Sequence, residues 1–341
     1  MITRRALAAA MSAASAGLPR PSAAQAESVV VGSWEGDFGR ILQQSVDVPL
    51  ARPARLMSVQ DLAPPSIRRA ELIAERRHRR GSVDLAGLPD VDMFELARME
   101  LFEPVPEARV RRLRFVLPAL RLPYAVPQLY SVRVILYNPE KVDPPPRRYA
   151  ELWESRFAGR IGLLDELAVQ YVETAALAGG GSVSDFGPAW ERLREWKRMG
   201  ARVYGPPSHL RDALKSGEVW ATVGWLAQGY LWQKEGVPVR HAVPEEGATS
   251  ITYEWAVPRN AVNKDGAWRY CSLLLEREAQ IAFAARLGYL PVVADVTLPE
   301  ALESRINLTE AERSRVLRPD FAYLAANARA VRAFWNGDFK A

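Results

Sequence analysis

Arg133 is a lone charge in the run Tyr130–Tyr137, whose other residues are Tyr, Ser, Val, Ile and Leu. A buried guanidinium is rare unless it is paired, so an arginine in such a strand-like segment needs a partner. Its planar fork suits two kinds. One is the carboxylate or phosphonate of a bound solute, gripped bidentately; the other is an Asp or Glu of the protein, in a structural salt bridge. The first reading implies a zwitterionic or anionic ligand. Asp90 precedes a helical pattern over residues 91–101 and can cap it. Asp165 stands the same way before a pattern over 169–177.

Other reactive side chains carry less. His78, His209 and His241 lie far apart without metal-ligand spacing, so no metal and no cofactor are expected. Cys271 sits in the middle of a helical pattern with no nucleophile motif around it and reads as core. As the one cysteine in the chain, it leaves no internal disulfide framework. Arg76 to Arg80 resembles a nucleic-acid patch but reads as a solvated helix end. The chain has 45 basic and 40 acidic residues. Three of the arginines, Arg4, Arg5 and Arg20, fall in the acid-free first 26 residues, so the remainder is nearly balanced. That weakens a nucleic-acid role. No convincing nucleotide-binding phosphate loop is present.

Those first residues have the order of a signal peptide. Arg4-Arg5 form a positive start, Ala6–Leu18 an uncharged, mildly apolar stretch, and Ala24-Gln25-Ala26 a small-x-small cleavage site. The arginine pair after Thr3 points to the twin-arginine route, with an ordinary secretory signal as the alternative. The stretch is too short and polar for a membrane anchor. A periplasmic mature chain, cleaved after Ala26 and not inserted in a membrane, is expected.

The elements that must position these groups alternate. Val29–Gly32 reads as a buried strand, 37–46 as a helix, 51–65 as loose, and 66–80 as a helix closed by Gly81. A strand over 83–88 and the helix over 91–101 complete a strand–helix–strand–helix order that favours an α/β sheet. Residues 130–137 form the most strand-like run, ahead of Asn138-Pro139 and the Pro144–Pro146 break. A second α/β pattern follows from 161 to 236, and 251–258 is another extended run. A helix over 264–287 ends at Gly288, and a terminal helix spans 320–335. The expected fold is α/β: two lobes joined by two extended crossings, the architecture of type II-like periplasmic binding proteins, which close on ligands by hinge motion. The lobes are expected to comprise 27–130 with 254–300, and 131–253 with 301–341.

Several phrases carry a family resemblance. VVGSWEGDF (Val30–Phe38), YSVRVILYNPEKV (Tyr130–Val142) and YAELWESRFAGRIGLLD (Tyr149–Asp165) resemble spermidine/putrescine-type extracellular solute-binding proteins. So does Val219–Val292, with WATVGW, WAVPRNAVNKDGA and ARLGYLPV. The phrases keep the family order over most of the chain after residue 26; residues 45–82 match poorly.

In that family, aromatic rings flank a methylene chain and carboxylates hold the ammonium ends, through cation–π attraction and charge-assisted hydrogen bonds. The resemblance puts Trp34, Trp225 and Tyr289 at matching aromatic positions, and Asp37, at the following helix start, joins the candidate set. It puts Tyr253, with Glu254 beside it, where a family acid lies; the cleft Trp two residues earlier is here Ile251. Asp165 and Glu166 stand near the position of two further acids, and Gln170 falls where the second would be. Asp90 and Asp92 lie in a loop where related proteins contact ligand. Together with Arg133, these residues are the candidate binding site.

The resemblance implies a monomeric binding component that delivers a small amine-bearing solute, a polyamine or a related zwitterion, to an inner-membrane ABC permease, without catalysis. Two alternatives stay open: a periplasmic enzyme on the same scaffold, and a ligand sensor for a membrane receptor.

Overall fold

The structure, a computed structural model, describes residues 27–341; the expected signal peptide lies outside the described residues. In chain order the strands are β1 (Glu27–Ser33), β2 (Leu56–Leu62), β3 (Leu85–Pro89), β4 (Val126–Tyr137), β5 (Gly162–Leu164), β6 (Arg202–Tyr204), β7 (Ala221–Trp225), β8 (Arg240–Ala242), β9 (Ala248–Ala256), β10 (Leu290–Pro291) and β11 (Val316–Leu317). The principal sheet runs β10-β4-β9-β3-β1-β2, and β7, β8 and β11 join it through β4 and β9. The class is mixed α/β, as the alternating pattern implies.

Two long strands organise the molecule. β4 is buried at every position, which is why it reads as an unbroken apolar run rather than an alternating one. It pairs with β9 through Val132, then from Arg133 to Tyr137 with β7 and, near its end, with β8. β9 pairs with β11 at Ala248 and Thr249 and with β3 at its far end. Both strands therefore change partners near the Val132–Ser250 pair. These are the two extended crossings that the sequence marks at 130–137 and 251–258.

Four local expectations need correcting. The helix expected over 66–80 ends at Glu75, short of Gly81. The loose stretch 51–65 contains β2, an edge strand whose exposed Met57 and Val59 hide the inward–outward alternation that marks a strand. The helix from Asp37 runs past residue 46, continuing in π-helical form to Ala51. The single helix over 264–287 is two, Lys264–Leu274 and Arg277–Leu287. No Gly or Pro marks that break. It is held by tertiary contacts: Arg112 Nε donates to the Leu275 carbonyl at 2.7 Å and Gln280 Nε2 to the Leu274 carbonyl at 2.8 Å. The second helix ends at Gly288 with φ 74°, and a Cβ there would stand 2.6 Å from the Tyr230 ring, so the stop signal is also a packing requirement.

Among the described residues, no helix is long and apolar enough to cross a membrane. Arg76–Arg80 are exposed beyond the end of the helix Pro65–Glu75. Cys271 is fully buried, and burial pushes its thiol up, which removes the thiolate that a nucleophile requires.

Candidate functional site

The chain leaves β1 at Ser33, and Trp34 turns its ring onto an aromatic cluster. Its centroid lies 4.4 Å from Phe38, 5.2 Å from Tyr253 and 5.7 Å from Trp255. Tyr289 closes the group, its hydroxyl donating to that of Tyr253 at 3.1 Å. The cluster rests on Arg68, whose guanidinium carbon is 5.6 Å from the Trp34 ring. Arg68 is fully buried and donates to the carbonyls of Ser33, Gly87 (2.8 Å) and Ala63 (2.9 Å), joining the ends of β1 and β3 to the chain just past β2. Burial lowers it to about 10 against the opposing pull of Asp61 and Glu71. Glycine at 87 makes the approach possible, because a Cβ would sit 2.8 Å from Trp34 and 2.9 Å from Trp255.

Beside this cluster a pocket of about 240 Å³ opens between the start of the helix Asp90–Arg98, the helix Ala168–Ala178, the end of β7, β9, and the segment from Pro319 into the last helix. Its chemistry comes from Asp90, Glu173 and Trp225. Asp90 follows directly on β3, and its Oδ1 accepts from Val91 N at 2.9 Å and its Oδ2 from Thr252 N at 2.8 Å. It is therefore not the helix cap the sequence suggests: its second oxygen fastens the helix start to β9. Burial raises its carboxyl to about 7, against those two hydrogen bonds.

Glu173 is 2 % exposed. Its Oε2 accepts from Arg133 at 2.5 Å, and its Oε1 has no protein partner. Burial raises this carboxyl too, with Arg133 pulling the other way. Arg133 is 1 % exposed, donates also to the Gln170 carbonyl, and lies 5.9 Å from the Trp225 ring centroid. Of the two roles open to Arg133, the geometry holds it in the protein salt bridge, behind the pocket wall. β4 and β7 put it there directly, since Arg133 and Trp225 are register partners.

Along β9, Ile251 and Tyr253 point to one face and Thr252 and Glu254 to the other. The first pair faces the pocket and the aromatic cluster. Glu254 is buried opposite Leu88, with one carboxylate oxygen unpartnered. Burial and the neighbouring Asp90 push it well above the usual carboxylate range, and Arg318 pulls it down.

The fold thus gathers Asp90 and Trp225 in one pocket, with Arg133 behind it, Glu254 on the far side of β9, and Trp34, Tyr253 and Tyr289 in the adjoining cluster. Two candidates lie apart. Asp37 is exposed and pairs with Arg40. Asp165 accepts from Trp335 Nε1 at 2.7 Å and from Lys340 at 2.9 Å, which holds its carboxyl below the usual range. It lines a second hollow, of about 500 Å³, that shares Val169 and Ala328 with the pocket. Asp92 pairs loosely with Arg69 at 3.7 Å. Glu173 and Arg68 escape the sequence reading. An acid embedded in the apolar pattern of 168–178 is the same kind of signal that Arg133 gives.

A sequence model of the bacterial extracellular solute-binding protein family matches residues 121–310, more than half of the chain. The chain is similar to the spermidine/putrescine-binding periplasmic protein of Escherichia coli, 24% identical over 200 residues that cover 58% of this chain and 56% of that one. The match therefore spans just over half the length of the curated relative. The fold is shared with an ABC transporter structure from Clostridium perfringens, with TM-score 0.78, 20% identity, and 90% of this chain and 98% of that one covered. It is shared likewise with the binding protein AttC of Agrobacterium tumefaciens in its open unliganded conformation, with TM-score 0.78, 17% identity, and coverage of 91% and 98%.

Proposed function

This chain belongs to the bacterial extracellular solute-binding protein family, and from that premise we propose that it is the substrate-binding component of an ABC importer for a small amine-bearing organic solute. One observation carries the ligand class. Asp90 and Glu173 line the same small pocket as Trp225, and one oxygen of the Glu173 carboxylate has no protein partner. A desolvated carboxylate lacking a partner is costly, and an ammonium group answers it with a charge-assisted hydrogen bond while Trp225 offers its face. The polyamine name of the Escherichia coli relative points to the same chemistry.

In this reading 27–130 with 254–300 make one lobe and 131–253 with 301–341 the other. The partner change of β4 at Arg133 supports the division, as does the last helix, Phe321–Phe334, which packs on 168–178. The lobes close on the solute and hand it to an inner-membrane permease. Residues 1–26 direct export to the periplasm, with the Arg4-Arg5 pair favouring the twin-arginine route, and the mature chain acts as a monomer. It turns nothing over, a view supported by the burial of Cys271.

Native mass spectrometry of protein purified without refolding, followed by thermal melting with putrescine, spermidine and ω-amino acids, tests the proposal. An intact amine-bearing solute in the complex, and a melting temperature raised by at least one of these amines, is the expected result. A ligand without an amine, or no response to any of these probes, defeats it.

A further inference from the structure

The run Arg76-Arg77-His78-Arg79-Arg80 plays no part in the solute pocket. It follows the helix Pro65–Glu75, and all five side chains are exposed. The backbone beneath them is nonetheless tied down. His78 N donates to the Glu75 carbonyl at 2.7 Å, Gly81 N to the Asn260 carbonyl at 2.9 Å, and Asn260 Nδ2 to the Glu75 carbonyl at 2.9 Å. That junction brings a fifth arginine, the exposed Arg259, to the same face: Arg76, Arg77 and Arg259 line one hollow of about 230 Å³. Nearby carboxylates do not offset these charges. Glu75 accepts from Ser82, Glu95 pairs with Arg69, and Glu103 pairs with Lys264. Glu100, the one acid lining the hollow, forms no salt bridge with the arginines among the described residues. Two exposed apolar side chains accompany the charges. Met99, 43% exposed, lines the same hollow, and Val262, 63% exposed, lies three residues beyond Arg259.

We infer that this face adsorbs to a bilayer surface of acidic phospholipids, the arginines meeting headgroup phosphates while Met99 and Val262 enter the interface. A guanidinium fork matches phosphate oxygens in a bidentate pair. Anionic lipids attract clustered basic residues, and exposed apolar groups add the second signal that lasting peripheral binding needs. A nucleic acid would engage the arginines and leave both apolar groups in water, and a solvated helix end has no use for them. Because the chain after residue 26 is nearly balanced in charge, the attraction is local to this face and orients the molecule on the membrane. It weakens as salt screens it and is independent of the amine site. For the binding component of an importer, such adsorption confines the search for a permease to the plane of the membrane.

The test is co-sedimentation of the purified chain with vesicles of phosphatidylcholine alone and with vesicles that also contain phosphatidylglycerol. The wild type should sediment with the anionic vesicles only, and less so as salt is raised. Neutralising the run as R76Q/R77Q/R79Q/R80Q should lower partitioning by about a hundredfold or more, since each basic residue near such a surface is worth about fivefold. A charge-matched control, R111Q/R240Q/R286Q/R329Q, removes exposed arginines elsewhere and should lose far less. M99S/V262S should weaken adsorption severalfold at unchanged charge. Melting temperatures should match the wild type, because every substituted side chain is exposed. No preference for anionic vesicles, equal losses in the patch variant and the control, or a serine pair that adsorbs like the wild type overturns the inference. So does saturable binding of inorganic phosphate that the patch variant abolishes while no chain sediments, which would make the hollow an ion site.

Discussion

Arg133 and Glu173 form an ion pair of 2.5 Å in which neither side chain is more than 3% exposed. It joins the strand that crosses between the two groups of sheet partners to the helix that walls the pocket. Tyr149 reinforces the junction by donating to the Arg133 carbonyl at 3.0 Å. Removing one member leaves the other charge buried without compensation. Arg133→Leu is therefore expected to cost about 3–5 kcal/mol, read from urea denaturation at neutral pH. The double variant Arg133→Leu/Glu173→Leu should recover much of that loss. Equal costs for the single and double variants would show that the two charges are not coupled.

Arg68 makes a different prediction, since its partners are carbonyls. Arg68→Met strands the Ser33, Ala63 and Gly87 oxygens and is expected to destabilise the fold by roughly 2–4 kcal/mol. It also withdraws the support beneath Trp34, so the tryptophan emission of the native state should shift. Unchanged emission in a folded variant would mean that Trp34 is held by its aromatic neighbours alone.

Trp225 and Asp165 separate pocket from periphery. Trp225→Ala removes the ring from the pocket and should weaken amine binding by about twofold to thirtyfold, the range of one cation–π contact, as measured by titration. Asp165→Ala should leave affinity nearly unchanged. It instead frees Trp335 and Lys340, and faster hydrogen exchange across residues 335–340 is the expected signature. A large affinity loss in Asp165→Ala would bring the second hollow into the binding site.

The buried acids predict a pH dependence. Asp90 is raised to about 7 in the folded chain, above an unfolded value near 3.9, so between these values the folded state binds more protons than the unfolded one. Its contribution to stability is fully present at low pH and is lost as pH rises through about 7. An ammonium ligand prefers the ionised carboxyl, so affinity runs the other way, strengthening from pH 5.5 to pH 8 with proton release on binding. Titrations in two buffers of different ionisation enthalpy measure that proton directly. Affinity that is flat or falls over this range contradicts the assignment of Asp90 to the ammonium end.

Much of the architecture was legible in the residues themselves. The apolar runs at 130–137 and 251–258, and the glycine at 288, are local signals whose causes are backbone conformation and burial periodicity. The chain phrases around Trp34, Trp225 and Tyr289 were enough to suggest a solute-binding family. Arg133 announced a buried charge because nothing else in its strand is charged. Its partner was not legible, since Glu173 lies forty residues away and only the meeting of β4 with the helix 168–178 selects it over other acids. The same holds for Asp90, whose second oxygen turns to Thr252 because β3 and β9 are sheet neighbours. It holds also for Asp165, drawn to Lys340 by the docking of the last helix. Residue types and periodicity determined which elements form and which charges need partners. Only the tertiary structure decided which partners they take, because hydrogen bonds and desolvation act through space over a few ångströms, between residues whose separation along the chain carries no trace of that distance.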